Sequence, residues 1–166
     1  ADTDSTPDWE YVRALYADDD DTADKHARQA AAEALLAEQP IMTVTESDAV
    51  WRYDHDMGYY QGYGKEWLHT ILEDRLGIHY STHERNEIVD RVRARTRVMR
   101  DEINADNKDD PLVCVANGVV NLRTGELLDH DPDYNFIRGL QWDFDRTADS
   151  DAIVSFLDSV TQREAD

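Results

Sequence analysis

Lysine is nearly missing from this chain. Three lysines stand against 14 arginines, while 26 aspartates and 11 glutamates bring the formal charge to -20 over 166 residues. So acidic a chain excludes a generally basic nucleic-acid-coating protein. Cysteine is almost absent too: Cys114 is alone. One cysteine excludes an internal disulfide and any Cys-rich zinc site, and it fits a reducing cytoplasm. Proline (4) and glycine (7) are too scarce for a low-complexity chain. Apolar runs of 18 residues are also lacking, which excludes a membrane-spanning helix by the usual length criterion.

What is present is 40% hydrophobic residues, enough for one packed domain of this length. Scattered Asp with little Lys is the composition expected of a high-salt cytoplasm. There the Debye length shrinks to about 3 Å at 1 M, and self-repulsion is screened. A DNA mimic would instead rank its carboxylates along one helix, and here they are spread over the whole chain.

Periodicity predicts an α+β domain. Its first two thirds are mainly helical, with small antiparallel hairpins, and a winged-helix-like arrangement is compatible with it. Trp9, Val12, Leu15 and Tyr16 recur at helical spacing. An acidic joint (18–24) separates them from a helix over 25–39 that has an alanine face and is ended by Pro40. The domain division read from this is 1–24, an N-terminal helix and joint, and 25–166, the main domain. Short strands follow at "IMTV" and "VWRYD", and "GYYQGYG" continues as a hairpin partner with glycines at its turns. A helix over 65–77 buries Trp67, Leu68, Ile71, Leu72 and Leu76 and stops at Gly77. "STHE" (81–84) reads as a capping box opening a helix over about 82–100, striped by Ile88, Val92 and Met99. "LVCVANGVVNL" reads as a hairpin turning at Asn117-Gly118, and "SDAIVSFLDSV" as a last helix.

Few residues carry chemistry. "GYGKE" (62–66) fails as a phosphate loop: the required glycine is replaced by Tyr59 and the required Ser/Thr by Glu66. Asp54 and Asp56 are two apart beyond a strand, the spacing at which a metal could be shared in nucleotidyl transfer, but "DHDMG" reads more readily as a polar hairpin turn. The histidines form no metal-ligand spacing. The one basic run is "RVRARTRVMR", with Arg91, Arg93, Arg95, Arg97 and Arg100. On a continuous helix Arg93, Arg97 and Arg100 form one ridge, with Arg91 and Arg95 on the other side. Two readings stand: ion pairs with neighbouring acids, or a strip facing phosphate or a partner.

"NGVVNLRTGELLDHDPDYNF" (117–136), "WDFDRTAD" and the helix bearing Phe-Leu together resemble the domain that precedes the motor in P4-type phage and plasmid primase-helicases. That family includes the poxvirus D5-like proteins. The matching positions are Asn117, Gly118, Val119, Thr124, Gly125, Glu126, His130, Pro132, Ala148, Phe156 and Leu157. "VWRYDHDMGYYQGYGKEWLHTILEDRLG" and "HERNEIVDRVRART" extend the likeness to most of 9–160. "WDFDRTA" departs from the family's usual Tyr-x-Pro.

The resemblance implies an adaptor or collar domain between a primase region and a hexameric superfamily 3 helicase of a plasmid or virus, and the acidic composition adds a haloarchaeal source. It implies self-association, with DNA as a candidate partner, and the lack of long apolar runs implies no membrane partner. It also implies no catalytic residues and no cofactor in this stretch, with ATP and magnesium serving the helicase expected downstream. A start without Met and an end at "TQREAD" suggest a piece of that longer protein. Two other readings remain open: a winged-helix DNA-binding regulator, and a metal-dependent nucleotidyltransferase using Asp54 and Asp56.

Overall fold

The computed structural model describes residues 8–18, 22–103 and 111–148. The helix expected over 151–161, with Phe156 and Leu157, lies outside these residues.

Helix α1 (Trp9–Tyr16) is capped by Asp8, whose side chain accepts from the Tyr11 N–H. It packs on α2 (Ala23–Glu38), whose buried alanines let the two backbones approach closely. Val12, Ala27, Ala31, Ala32 and Leu35 are fully buried there. The first helix therefore shares the domain's core rather than standing apart from it. Gln39 ends α2 in an extended conformation, as a residue before proline prefers.

The sheet that follows has the order β3-β2-β1-β4. Strands β1 (Ile41–Val44), β2 (Ala49–Asp54) and β3 (Tyr59–Gln61) form an antiparallel meander. One face, with Ile41 and Val50, packs on the helices. The other, with Met42, Tyr53 and Tyr60, packs on Val98, Ile103 and Ile137. With both faces covered, β1 is buried along its whole length.

Helix α3 (Gly64–Leu76) buries Leu68, Leu72 and Leu76 and stops at Gly77, which takes a φ of +54°. Helix α4 (Thr82–Arg95) starts at Ser81, which accepts from the Glu84 N–H. The reciprocal half of the expected capping box is not made, because the Glu84 carboxylate turns instead to Arg28.

The largest departure from expectation is where α4 ends. It stops at Arg95, not near residue 100. Thr96 donates its hydroxyl to the Val92 carbonyl, and the chain then straightens into β4 (Arg97–Val98), parallel to β1. The cause is tertiary: the open edge of β1 has N–H groups to satisfy, and Thr43 donates to the Thr96 carbonyl (2.8 Å) and Thr45 to that of Val98 (3.0 Å). Met99 is half-exposed and lies outside the helical stripe.

The second sheet is a three-stranded antiparallel meander of β5 (Leu112–Val115), β6 (Gly118–Asn121) and β7 (Glu126–Leu128). Val115 pairs with Gly118, so the tight loop is Ala116-Asn117, one residue earlier than expected. Cys114, Val119 and Phe136 form its core. The α+β class holds, with the second sheet following the helices.

Candidate functional site

The motif at 117–132 is built into turns and seams. Asn117 clamps the returning chain at two points: its amide donates to the Phe144 carbonyl (3.1 Å) and its carbonyl accepts from the Phe144 N–H (2.8 Å). Asn121 caps the next turn through the N–H groups of Arg123 and Thr124. Thr124 and Gly125 complete that turn, Gly125 at a φ of +68°, and the Glu126 N–H lies 3.3 Å from the Thr124 hydroxyl. His130 reaches back to the Val115 carbonyl (2.9 Å), and its ring lies under Gly58 of the β2–β3 turn. A Cβ at position 58 would overlap that ring, and φ there is +74°, so glycine is required twice over. Pro132 opens a 3₁₀ turn (Pro132–Tyr134), and beyond it the Phe136 carbonyl accepts the Tyr60 N–H (2.7 Å). The motif thus sews the second sheet to the first.

Asp54 and Asp56 do not share a strand face. Asp54 ends β2, and Asp56 lies in the turn. The Asp54 carboxylate accepts the N–H groups of Asp56 (3.0 Å) and Met57 (3.1 Å). Among the described residues no cluster of three metal-ligating side chains forms.

The arginine run is divided by the end of α4. Arg93 lies 3.7 Å from Asp90, Arg95 pairs with Glu33 of α2 (3.3 Å), and Arg97 on β4 pairs with Asp48 (3.0 Å). Arg91 is half-buried on α4. Arg100 stands in a 3₁₀ turn (Arg100–Glu102), its backbone N–H donating to Glu46. The single ridge of Arg93, Arg97 and Arg100 therefore does not exist, because only the first lies on α4.

One of the five arginines joins a different group. Arg85, Val89 and Arg93 recur every fourth residue on α4, and Lys65 and His69 do the same on α3, so the two rows line one cleft of about 350 Å³. Asp90 is the one acidic residue of its lining and Asn86 a neutral one. With His69 neutral, three cations against one acid leave the lining at +2 in a chain of -20. The Arg85 guanidinium is held by the Asn86 carbonyl (3.0 and 3.2 Å). Lys65 and His69 have no polar partner among the described residues, and the buried Nε of Arg93 has none. Burial lowers the His69 pKa, and Arg85, Lys65 and Arg93 lower it further against the opposing pull of Glu66. Sequence reading passed over Lys65 (tested only as a failed phosphate loop), His69 and Arg85. The available signal was the matched i, i+4 spacing on two helices joined by a short corner.

A separate buried network ties the helices together. Arg28 of α2 grips Glu84 of α4 bidentately (2.8 and 2.6 Å), and Tyr16 of α1 donates its hydroxyl to the same carboxylate (2.6 Å). Burial alone would raise the Glu84 pKa, but the hydrogen bonds from Arg28 and Tyr16 outweigh it, and the net shift is downward. With both carboxylate oxygens held by Arg28 and Tyr16, this is a structural joint.

A family model described as D5 N terminal like matches residues 32–162, well over half of the chain. No curated protein matches it.

Proposed function

The chain belongs to the D5 N-terminal-like family, and from that membership we propose that it is a non-catalytic adaptor domain of a DNA-replication primase-helicase. The observation that carries this is the family match itself, which spans the 117–132 motif. The geometry supports a structural role for that motif. Asn117, Asn121, His130 and Asp131 direct their side chains at backbone groups of neighbouring turns and strands, not at an open cavity.

In this reading the domain positions a ring-forming motor and presents surface to neighbouring copies and to DNA. Large apolar side chains left in solvent are suited to such contacts: Ile78 at the α3–α4 corner is 95% exposed and Trp142 78% exposed. ATP and magnesium belong to the motor that this reading places downstream. The test is the coding sequence beyond Asp166. A Walker A motif is expected there, and its absence would remove the reading. The 166-residue chain alone should hydrolyse no ATP, and measured turnover that tracks the purified chain would refute the non-catalytic assignment.

A further inference from the structure

We propose that the cleft between α3 and α4 is a phosphate-binding site that holds the backbone of a nucleic-acid strand through Lys65, Arg85 and Arg93, with His69 beside them. The nucleic-acid source rests on the replication reading above, whereas the phosphate chemistry stands on the cleft itself.

The argument begins with placement. The apolar rows Leu68-Leu72-Leu76 and Ile88-Val92 sit in the same buried core. The rows beside them, Lys65-His69 and Arg85-Val89-Arg93, form the rim. A chain with 37 acidic residues could have paired these cations as it pairs Arg28, Arg95 and Arg97. It pairs them poorly. Lys65 has no ionic partner among the described residues, Arg85 meets a neutral amide, and Arg93 meets an exposed Asp90 at the long distance of 3.7 Å. Cations brought together without counterions repel one another, and an oxyanion relieves that repulsion. Two guanidinium groups and an ammonium offer the donors that a phosphate's oxygens accept.

His69 makes the site readable. Its proton is disfavoured by burial and by Arg85, Lys65 and Arg93, while Glu66 on its own helix opposes them only in part; Asp90 is the acid that lines the cleft with it. A bound phosphodiester adds a negative charge and makes imidazolium easier to form. The affinity for a single-stranded oligonucleotide should therefore rise as pH falls through 6.5 and below. Phosphodiesters do not titrate there, so the dependence belongs to the protein.

The experiment uses the 166-residue chain at low ionic strength, with two probes: inorganic phosphate, and a fluorescent single-stranded oligonucleotide followed by anisotropy. Imidazole proton signals report the His69 pKa. Both probes should raise that pKa, the oligonucleotide at the lower concentration. Lys65→Gln and Arg85→Gln should each weaken oligonucleotide binding by roughly tenfold and flatten its salt slope by about one. Arg95→Gln and Arg97→Gln, outside the cleft, should leave it within about twofold. His69→Gln should abolish the pH dependence while preserving affinity at pH 7.5.

Oligonucleotide binding lost in Arg95→Gln or Arg97→Gln but retained in both cleft variants overturns the site and leaves the replication reading intact. Phosphate binding without oligonucleotide binding overturns the strand as its ligand. Binding of neither probe overturns the site altogether. The family reading has its own test in the downstream Walker A motif.

Discussion

Single residues decide two joints of this protein. Glu84 receives Arg28 and Tyr16, with its side chain and that of Arg28 each little exposed. Glu84→Ala leaves the little-exposed Arg28 guanidinium with only the exposed Asp24 carboxylate at 3.8 Å, so we expect a loss of about 3–5 kcal/mol in chemical denaturation. The same pair gives acid sensitivity. The folded pKa of Glu84 is depressed, so its stabilisation is complete above the unfolded value of about 4.3 and is lost as pH falls through the folded pKa. A Glu84→Ala variant should therefore show less acid destabilisation than the parent below pH 4; equal slopes would place the acid-labile group elsewhere. At Gly58 the positive φ and the His130 ring both resist a side chain. Gly58→Ala should cost about 1–3 kcal/mol. If the ring is the obstacle, that cost shrinks in a His130→Ala background, whereas an unchanged cost would assign it to the backbone. Neither joint was legible beforehand. Glu84 announced itself as a cap and His130 as part of a turn, because a sequence shows neighbours along the chain and not partners 56 residues away.

At the scale of elements, periodicity located the described α-helices and strands β1, β2, β3, β5 and β6, since each buries a regular face, whereas β7 is short and largely exposed and gave no such signal. It failed at the end of α4. "RVRARTRVMR" continues a helical pattern, but β1 has an open edge, and the parallel pairing of Thr43 with Arg97 outweighs local propensity. That single override breaks the arginine ridge and leaves Arg93 facing the Lys65–His69 row of α3 across the cleft. The cleft was hidden for a related reason: its two rows lie on separate helices, and only the corner at Gly77 brings them face to face. The 117–132 motif was legible as turn chemistry, but its docking function was not. Asn117 imitates a strand partner for Phe144. Asn117→Ala should free that segment while sparing the helices. Hydrogen exchange at the Phe144 amide should accelerate at least tenfold, with α2 amides unchanged. Uniform acceleration would mean instead that the clamp supports the whole fold.

For the molecule as a whole, charge sets the conditions under which all this holds. A net charge of -20 on a 19.1 kDa chain opposes compaction, and most of the acids have no cation to meet, since 37 face only 17. Salt acts on this in two directions. Screening shortens from about 10 Å at 0.1 M to about 3 Å at 1 M, which weakens the repulsion among surface carboxylates and stabilises the fold. The same screening weakens a phosphate at the α3–α4 cleft, because counterion release contributes less at high salt. The melting temperature should therefore rise between 0.1 M and 1 M potassium chloride, while oligonucleotide affinity falls over the same range. Buried pairs such as Arg28–Glu84 are shielded from these ions, so Glu84→Ala should shift both melting curves by a similar amount. Sucrose separates screening from general exclusion: it strengthens burial but leaves charge repulsion intact, and at equal osmolality it should raise the melting temperature less than the salt does. An equal rise in sucrose, or no rise in salt, would show that surface repulsion does not limit this fold.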